Sequence, residues 1–320
     1  MNDFHQAVLW QESLDIMDLR PGLTVVDATV GYAGHGQAIL ERILPSGFLV
    51  AIDQDPEALA AAEERLEACL DSFRDGRRPY VMVHSNFSRI KAILADLGID
   101  QIDAALMDLG VNSRQLDDGE RGFSYQHPGR LDMRMNPFAE GPDACDLIRE
   151  ASAEELETIF WRYGEERWSR RVAQFIVAER EKAPIETTDR LVAVIKKAIP
   201  AGAREDGPHP AKRLFMSLRI SINRELEVLE PAIADMVDLL TPKGRLAVIS
   251  FHGGEDAIVK STFRALAAGC TCPKDFPVCV CGKVSQGKTL TAKPILPGLE
   301  ELETNPRSRS AKLRAFQKRS

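Results

Sequence analysis

The stretch Val25–Gly36 constrains this chain most, because an apolar run that ends at Asp27 is followed by a loop with three glycines and an apolar helix. Glycine lets the backbone approach a ligand closely, and the first N–H groups of the helix have no partner within it. A second apolar run, Phe48–Ile52, ends at Asp53, about 20 residues after Gly31, the spacing at which a carboxylate reaches ribose hydroxyls. We therefore predict the opening of a nucleotide-binding parallel α/β sheet.

The order of the glycines indicates which nucleotide this loop could bind. A dinucleotide-binding loop has the order G-x-G-x-x-G around a pyrophosphate, whereas Gly31, Gly34 and Gly36 follow the order G-x-x-G-x-G. Asp27 would repel a phosphate and suits a cationic group, such as the ammonium of a methionine moiety. The glycine order argues against a nicotinamide-dependent oxidoreductase, although a strand–turn–helix without any ligand stays open at this point.

Length and charge restrict the class of protein further. A chain of 320 residues is long enough for one large domain or two moderate ones. No apolar run approaches the ~18 residues of a membrane span and no N-terminal signal is evident, which predicts a cytoplasmic protein without a membrane partner. Because the formal net charge is −7, contact with a nucleic acid would have to come from local basic surface.

Two further strands are predicted before position 112. Strand three covers Tyr80–His84, and Phe87 in the loop after it would lie beside an adenine or pack under the next helix. Strand four covers Ile102–Met107 and leads into Asp108. Ligands of such sheets lie outside the carboxyl ends of the strands, so Asp108 is placed to act on whatever the cofactor reacts with.

A wholly helical pattern then replaces the sheet pattern. Ser152 and Glu155 have the spacing of a capping box at a helix start. We predict one helix over 158–181 with apolar residues inside and arginines outside, and we expect this arginine face to contact RNA. The outward arginines are Arg162, Arg167, Arg170, Arg171 and Arg180.

The sheet pattern resumes after the helical stretch. A long helix is predicted over 214–240, and Arg245–Ser250 reads as a fifth strand. We therefore predict a discontinuous core of residues 1–112 and 205–320 around an inserted, mostly helical substrate-recognition domain of residues 113–204.

Four cysteines near the C-terminal end form the pattern C-x-C, six residues, C-x-C. In a cytoplasmic chain, thiols or metal ligands are expected rather than disulfides, and four thiols in so short a span could bind zinc tetrahedrally. The alternative is a thiol cluster without a metal, since C-x-C is less usual in zinc sites than C-x₂-C. The four are Cys270, Cys272, Cys279 and Cys281.

The last residues, Asn305–Ser320, are basic and contain no acid. On an acidic protein this segment predicts contact with a phosphate backbone, and a disordered tail is the alternative.

Eight stretches carry a resemblance to one known family. The glycine loop resembles the first motif of the class I methyltransferases, and the chain as a whole resembles the bacterial 16S ribosomal RNA (cytosine-N4)-methyltransferases. The most specific runs are Gln115–Ser124 and Leu131–Met135. The stretches are Asp27–His35, Ala51–Pro56, Asp108–Ser124, Leu131–Met135, Tyr163–Arg167, His209–Arg213, Ser250–Asp256 and Asn305–Arg314.

This resemblance implies a Rossmann-like methyltransferase core, interrupted by an inserted all-helical subdomain, that binds S-adenosylmethionine. It implies methylation of the N4 amino group of a cytidine in the decoding region of 16S ribosomal RNA. The partner would be this RNA or the small ribosomal subunit, and a homodimer is left open. The implied cofactor contacts are Ala33, Gly34, His35, Asp53, Phe87, Asp108 and Gln115.

The chain departs from the family pattern at several positions. Ala33 replaces a glycine, which would be tolerable if its φ were negative. The remaining departures bear more on the substrate than on the cofactor. They are Asn112, Arg114, Gly253, Gly254 and Ala257.

The chemistry implied for the site requires a proton acceptor. The lone pair of a cytosine amino group is delocalised into the ring, so its attack on a sulfonium methyl needs alignment and an acceptor for a proton. Asp108 at the end of strand four fits this role. The alternative function is a non-catalytic RNA-binding or ribosome-assembly factor that retains the methyltransferase fold.

Overall fold

The computed structural model describes residues 7–70, 78–203, 209–270, 272, 276, 278 and 280–320. The chain divides into two compact units. The first unit combines Met1–Gly110 with Leu226–Ser320, and the second is Val111–Glu225.

The described residues form strands and helices that are numbered here in chain order. The strands are β1 (Thr24–Asp27), β2 (Phe48–Asp53), β3 (Tyr80–His84), β4 (Ile102–Asp108), β5 (Leu240–Ser250), β6 (Gly287–Thr289) and β7 (Lys312–Lys318). The helices are α1 (Trp10–Met17), α2 (Gly34–Ile43), α3 (Pro56–Cys69), α4 (Ile90–Asp96), α5 (Ser113–Asp117), α6 (Ala144–Glu150), α7 (Ala153–Gly164), α8 (Ser169–Arg180), α9 (Thr188–Ala198), α10 (Ala211–Asn223), α11 (Leu229–Leu239), α12 (Gly253–Ala267) and α13 (Leu299–Thr304). No helix in the described ranges is long and apolar enough to cross a lipid bilayer.

The first unit is built on one seven-stranded sheet with the order β3-β2-β1-β4-β5-β7-β6. Strands β1 to β5 are parallel to one another, and β7 is antiparallel to both β5 and β6. The strand order reverses between β1 and β4, and in sheets of this kind a ligand crevice opens where the order reverses. The predicted parallel α/β sheet is therefore confirmed.

The central strands are apolar throughout because both faces of the sheet are covered. In β1, Val25 belongs to one core cluster and Val26 to the other, and the same alternation separates Leu106 from Met107 in β4. Both faces of such a strand exclude water, so its sequence is a continuous apolar run. This is why β1, β2 and β4 could be recognised up to the acid at the end of each.

The C-terminal segment is part of the sheet, so the alternative of a disordered tail is wrong for residues 312–318, whereas contact with a phosphate backbone stays a prediction. In β7, Leu313 and Phe316 are fully buried. The Arg314 guanidinium is paired with Asp256, with Nε 2.6 Å from Oδ1. Four basic residues in and directly after this strand made it read as a basic tail, because its pairing with β5 and β6 is not visible in the local sequence.

The described residues of the second unit form six α-helices and no strand. The predicted capping box is confirmed: the Glu155 N–H donates to Ser152 Oγ and the Ser152 N–H donates to Glu155 Oε2. The single helix predicted over 158–181 is wrong, because Glu165 adopts a left-handed conformation with φ 47° and ends α7. A new helix, α8, begins at Ser169.

One predicted outward arginine is structural. Arg180 is half-buried, and its Nη1 donates to the carbonyl oxygens of Ile148 and Ala151, both at 2.7 Å, so it caps the C-terminal end of α6. The predicted outward position is confirmed for the other four arginines, which are all exposed. Their contact with RNA stays a prediction. They are Arg162, Arg167, Arg170 and Arg171.

The second boundary between the units differs from the predicted one. The helix predicted over 214–240 is two helices, α10 and α11, because Arg224 ends α10 with a left-handed φ of 52°. Helix α10 belongs to the helical unit, since a Cβ at Gly164 of α7 would lie only 3.0 Å from the Arg213 carbonyl oxygen. The helical unit therefore extends to Glu225 rather than ending at residue 204.

Candidate functional site

Three acids end three neighbouring strands. Asp27 ends β1, Asp53 ends β2 and Asp108 ends β4, and β1 lies between the other two in the sheet. The three carboxylates therefore lie at the same edge of the sheet, near the point where the strand order reverses. The Asp108 N–H also donates to Thr29 Oγ1 at 2.7 Å, which ties the end of β4 to the loop after β1.

Asp53 holds the glycine loop in place. Its Oδ2 accepts the Gly31 N–H at 2.8 Å, and its Oδ1 accepts the Asp55 N–H at 2.9 Å. Gly31 has φ +50°, a conformation that side chains rarely adopt. Because a carboxylate offers about four acceptor sites, the Asp53 carboxylate retains acceptor capacity for a ligand beyond its backbone hydrogen bonds.

The start of α2 packs tightly behind Asp27. A Cβ at Gly36 would lie 3.0 Å from Val30 Cγ2 and 3.4 Å from Asp27 Oδ2. A Cβ at Gly34 would lie 3.1 Å from Ala7 Cβ. Glycine therefore lets the helix start approach the end of β1 at Gly36 and the segment that contains Ala7 at Gly34. The predicted close approach of this loop to a ligand stays a prediction.

Ala33 does not have the negative φ that would let it replace glycine without strain. Ala33 is the N-cap of α2 and has φ 56°, in the left-handed region, where a non-glycine residue costs roughly 1–2 kcal/mol. Its methyl group is completely buried. Packing of this methyl compensates part of the strain.

Asp27 is almost completely buried, at 1% exposure. Its Oδ1 accepts the Thr29 N–H at 3.3 Å, and its Oδ2 has no hydrogen-bond partner among the described residues. Burial, with a smaller contribution from the nearby Asp53 charge, raises the pKa of Asp27 to about 7. The carboxyl group is therefore close to half-protonated at neutral pH, and a cationic ligand would favour its ionised form.

The Asp27→Asn variant should become more stable than the wild-type protein as pH rises. Because the folded-state pKa of Asp27, about 7, lies above the ordinary 3.8, its contribution to stability is complete below that ordinary value and is lost as pH rises through about 7. The free energy of unfolding of the variant relative to wild type should rise by up to about 4 kcal/mol between pH 4 and pH 8. Urea unfolding without ligand at both pH values measures it, and parallel pH profiles would contradict the burial argument.

Asp108 and His35 lie next to each other at the same edge. His35 Nε2 is 3.7 Å from Asp108 Oδ2, and neither His35 Nε2 nor Asp108 Oδ1 has a hydrogen-bond partner within the described ranges. Burial raises the pKa of Asp108 well above its ordinary range, and the charges of Asp27 and Glu255 raise it further. Burial lowers the pKa of His35 to about 4, so its imidazole is neutral near pH 7.

Glu255 is a further acid close enough to Asp108 to raise its pKa. The sequence reasoning did not identify this residue. Glu255 is 2% exposed, and its Oε2 accepts the N–H groups of Phe251 at 2.7 Å and His252 at 3.2 Å. His252 Nδ1 accepts the Glu255 N–H at 3.4 Å in return. The signal was present as a capping-box spacing directly after a strand, with histidine in the position of the usual serine or threonine.

Two of the predicted cofactor contacts have structural roles. Phe87 is half-buried and packs against the apolar core on one face of the sheet, close in sequence to Ser85, whose N–H donates to the Asp53 carbonyl oxygen. Gln115 belongs to the second unit, where it forms a reciprocal capping box with Asn112 at the start of α5. Their contact with a cofactor stays a prediction.

The predicted cysteine cluster is partly described. The sulfur atoms of Cys270, Cys272 and Cys281 lie within 4.8 Å of one another. Cys279, the fourth predicted ligand, lies outside the described residues.

The residues at the strand ends fit a ligand of mixed charge. Buried carboxyl oxygens without partners favour a positive group next to Asp27 and Asp108. The start of α2 has no side-chain cap, so its N–H groups can bind a carboxylate. S-adenosylmethionine carries both a positive sulfonium and ammonium and a negative carboxylate.

Comparison with known proteins decides the family. The model of the MraW methylase family matches residues 2–319. The chain belongs to the MraW methylase family. A relative from Brevibacillus brevis, named ribosomal RNA small subunit methyltransferase H, is 48% identical over 314 residues and covers 98% of each chain. A relative of the same name from Heliobacterium mobile is 49% identical over 319 residues, covering 99% of this chain and 100% of the relative.

Membership of this methylase family confirms the resemblance inferred from the motifs. The sheet order and the helical unit confirm the Rossmann-like core with a helical insertion, and membership of a methylase family confirms S-adenosylmethionine as cofactor. Among solved structures, a putative rRNA methylase from Clostridium thermocellum aligns with a TM-score of 0.43 and 13% identity, over 98% of each chain.

Proposed function

We propose that this chain uses S-adenosylmethionine to methylate the N4 amino group of a cytidine in the decoding region of 16S ribosomal RNA. The observation that carries the proposal is the cluster of strand-end acids within a methylase fold, in which Asp27 is buried and Asp53 and Asp108 are partly buried. Full-length relatives at 48% and 49% identity that are named small-subunit ribosomal RNA methyltransferases support the substrate class. A cytoplasmic location follows from this substrate.

The reaction makes two demands on the protein. The cofactor supplies an electrophilic methyl group on a positively charged sulfur. The protein must hold the amino nitrogen in line with that methyl group and accept one amino proton, because an amide-like nitrogen is a poor nucleophile.

Different residues of the first unit would bind the cofactor and accept the proton. Asp27, ionised when a cation is beside it, would hold the positive end of the cofactor, and the N–H groups at the start of α2 would hold its carboxylate. Asp53 would accept the ribose hydroxyl hydrogen bonds. Asp108 would accept the amino proton at a carboxylate oxygen, and neutral His35 would orient that carboxylate through Nε2.

The raised pKa of Asp108 suits a proton acceptor. A general base works best when its pKa lies close to the working pH, because it is then both ionised and basic enough to take the proton. Burial and the neighbouring acids move Asp108 in this direction from its ordinary pKa. An exposed aspartate would be ionised at neutral pH but too weak a base.

The Asp53→Ala variant should bind S-adenosylmethionine more weakly, by roughly 1.5–3 kcal/mol for the lost charge-assisted hydrogen bonds, or on the order of 10- to 100-fold in Kd. Because Asp53 also holds the Gly31 N–H, the Asp53→Asn variant serves as a partial control that retains one acceptor oxygen. Titration calorimetry measures both, with thermal melting as a check on folding. An unchanged Kd in Asp53→Ala would exclude the ribose role.

The turn between α7 and α8 is the surface we assign to RNA. Trp161 at the end of α7 is 63% exposed, and Arg162, Arg167 and Arg170 are exposed beside it in sequence. The Arg167 guanidinium lies over the Trp168 ring, 5.4 Å from its centroid. Exposed aromatic rings and stacked guanidinium groups bind unpaired bases, while arginines also neutralise phosphates.

Replacing Arg167 and Arg170 together by glutamine should weaken RNA binding and make the slope of log K against log[salt] about 1.4 smaller in magnitude, for two lost phosphate contacts. Cofactor affinity should not change. The matched control is the double change of Arg149 and Lys182 to glutamine, since these exposed cations are paired with Asp146 and Glu179 respectively. Equal salt slopes in both double variants would remove this surface from the RNA interface.

Methyl transfer to unmodified small-subunit particles, and to naked 16S ribosomal RNA, tests the proposed function. Nucleoside analysis by mass spectrometry should find N4-methylcytidine at one site in at least one of the two substrates. Binding of cofactor and particles without any product would instead favour the non-catalytic assembly factor.

A further inference from the structure

The segment between α12 and β6 leaves the end of α12 and returns beside it. The Gln286 N–H donates to the Leu266 carbonyl oxygen at 2.9 Å, which closes the loop at its base. This loop, residues 268–286, carries the cysteines that the methyltransferase site does not use.

The described residues of the loop form no apolar core of their own. None of the described residues from 264 to 290 is buried. Phe276, Val278, Val280 and Val284 are at least half exposed, at 50%, 70%, 73% and 64%. A short segment that cannot bury apolar side chains needs a covalent or metal cross-link to keep one conformation.

The cysteine sulfurs have the spacing of a zinc site. Cys270 Sγ and Cys281 Sγ are 3.7 Å apart, and Cys272 Sγ completes a triangle with no side longer than 4.8 Å. Tetrahedral zinc with Zn–S bonds near 2.3 Å places its sulfurs about 3.8 Å apart. A disulfide requires about 2.05 Å, so the Cys270–Cys281 distance fits metal ligands better than an oxidised pair.

Backbone groups already point at these sulfurs. The Cys272 N–H donates to Cys270 Sγ, and the Val280 N–H donates to Cys272 Sγ, both at 3.4 Å. Hydrogen bonds to sulfur favour its thiolate form, which is the form that binds a metal, and such bonds orient metal ligands.

We propose that Cys270, Cys272 and Cys281 bind a zinc ion that holds the loop 268–286 in one conformation. The fourth tetrahedral position is available to a further thiolate or to water. The chemistry of the donors favours zinc, since three soft sulfur ligands disfavour magnesium, calcium and manganese. The site is separate from the strand-end acids, so its role is to shape this exposed loop.

Elemental analysis of the full-length protein, purified under reducing conditions without chelator, tests the proposal. Wild type should carry about one zinc per chain, and the Cys272→Ser and Cys281→Ser variants should carry little or none. Cys69→Ser is the matched control, because the Cys69 thiol lies on α3 and donates to the Arg65 carbonyl oxygen. Cobalt substitution should produce thiolate-to-cobalt charge-transfer bands that are lost in the two site variants.

Limited proteolysis gives a second readout on the same proteins. A strong chelator should speed cleavage within the loop of wild type and Cys69→Ser, whereas the site variants should be cleaved quickly with or without it. Wild-type protein free of zinc, equal zinc in Cys272→Ser and wild type, or a Cys270–Cys281 disulfide found by mass spectrometry would each overturn the proposal.

Discussion

Truncation after Ala311 should prevent folding of the sheet unit, because it removes β7 from between β5 and β6. Leu313 and Phe316 are completely buried, and burial of each is worth roughly 1.5–3 kcal/mol. Phe316 also packs on Phe263, with ring centroids 5.4 Å apart. Loss of these contacts, of the ladder to β5 and of the partner of Asp256 together approaches the 5–15 kcal/mol of a typical domain.

Truncation after Lys318 is the control for this experiment. It removes only two exposed residues and one backbone hydrogen bond, from the Arg319 N–H to the Gln286 carbonyl oxygen. Thermal melting followed by circular dichroism should show a cooperative transition for the chain that ends at Lys318. The chain that ends at Ala311 should show none. A cooperative transition near the wild-type temperature after truncation at Ala311 would mean that β7 contributes little.

The Asp108→Asn variant should lose on the order of 10²- to 10⁴-fold in the rate of methyl transfer, with cofactor affinity changed far less. Asparagine keeps the shape of the side chain but cannot accept a proton. The measurement is single-turnover methylation of small-subunit particles at saturating S-adenosylmethionine. Asp100→Asn, which removes an exposed acid from the same unit, should transfer methyl groups at the wild-type rate.

A second outcome would assign Asp108 a different role. If its carboxylate only orients the cofactor, rate and affinity should fall together, and saturating cofactor should restore the rate. A near-wild-type rate at saturation would therefore leave Asp108 as a binding residue and point to another proton acceptor.

Local features of the sequence determined the strand-end acids and the helical insertion. Asp27, Asp53 and Asp108 each follow an apolar run that both faces of the sheet bury, so the strand and its polar end are visible together. The Ser152–Glu155 box was visible because capping depends on residues three positions apart. The motifs within these stretches were sufficient to indicate the family.

Only the tertiary structure decided features that depend on distant partners. Residues 312–318 became β7 because β5 and β6 pair with them, although no local pattern had indicated a strand. The left-handed conformations of Ala33 and Arg224 were likewise not indicated by their local sequence. The raised pKa values of Asp27 and Asp108 arise from burial among other acids, since the free energy of a charge depends on what surrounds it in space rather than in sequence.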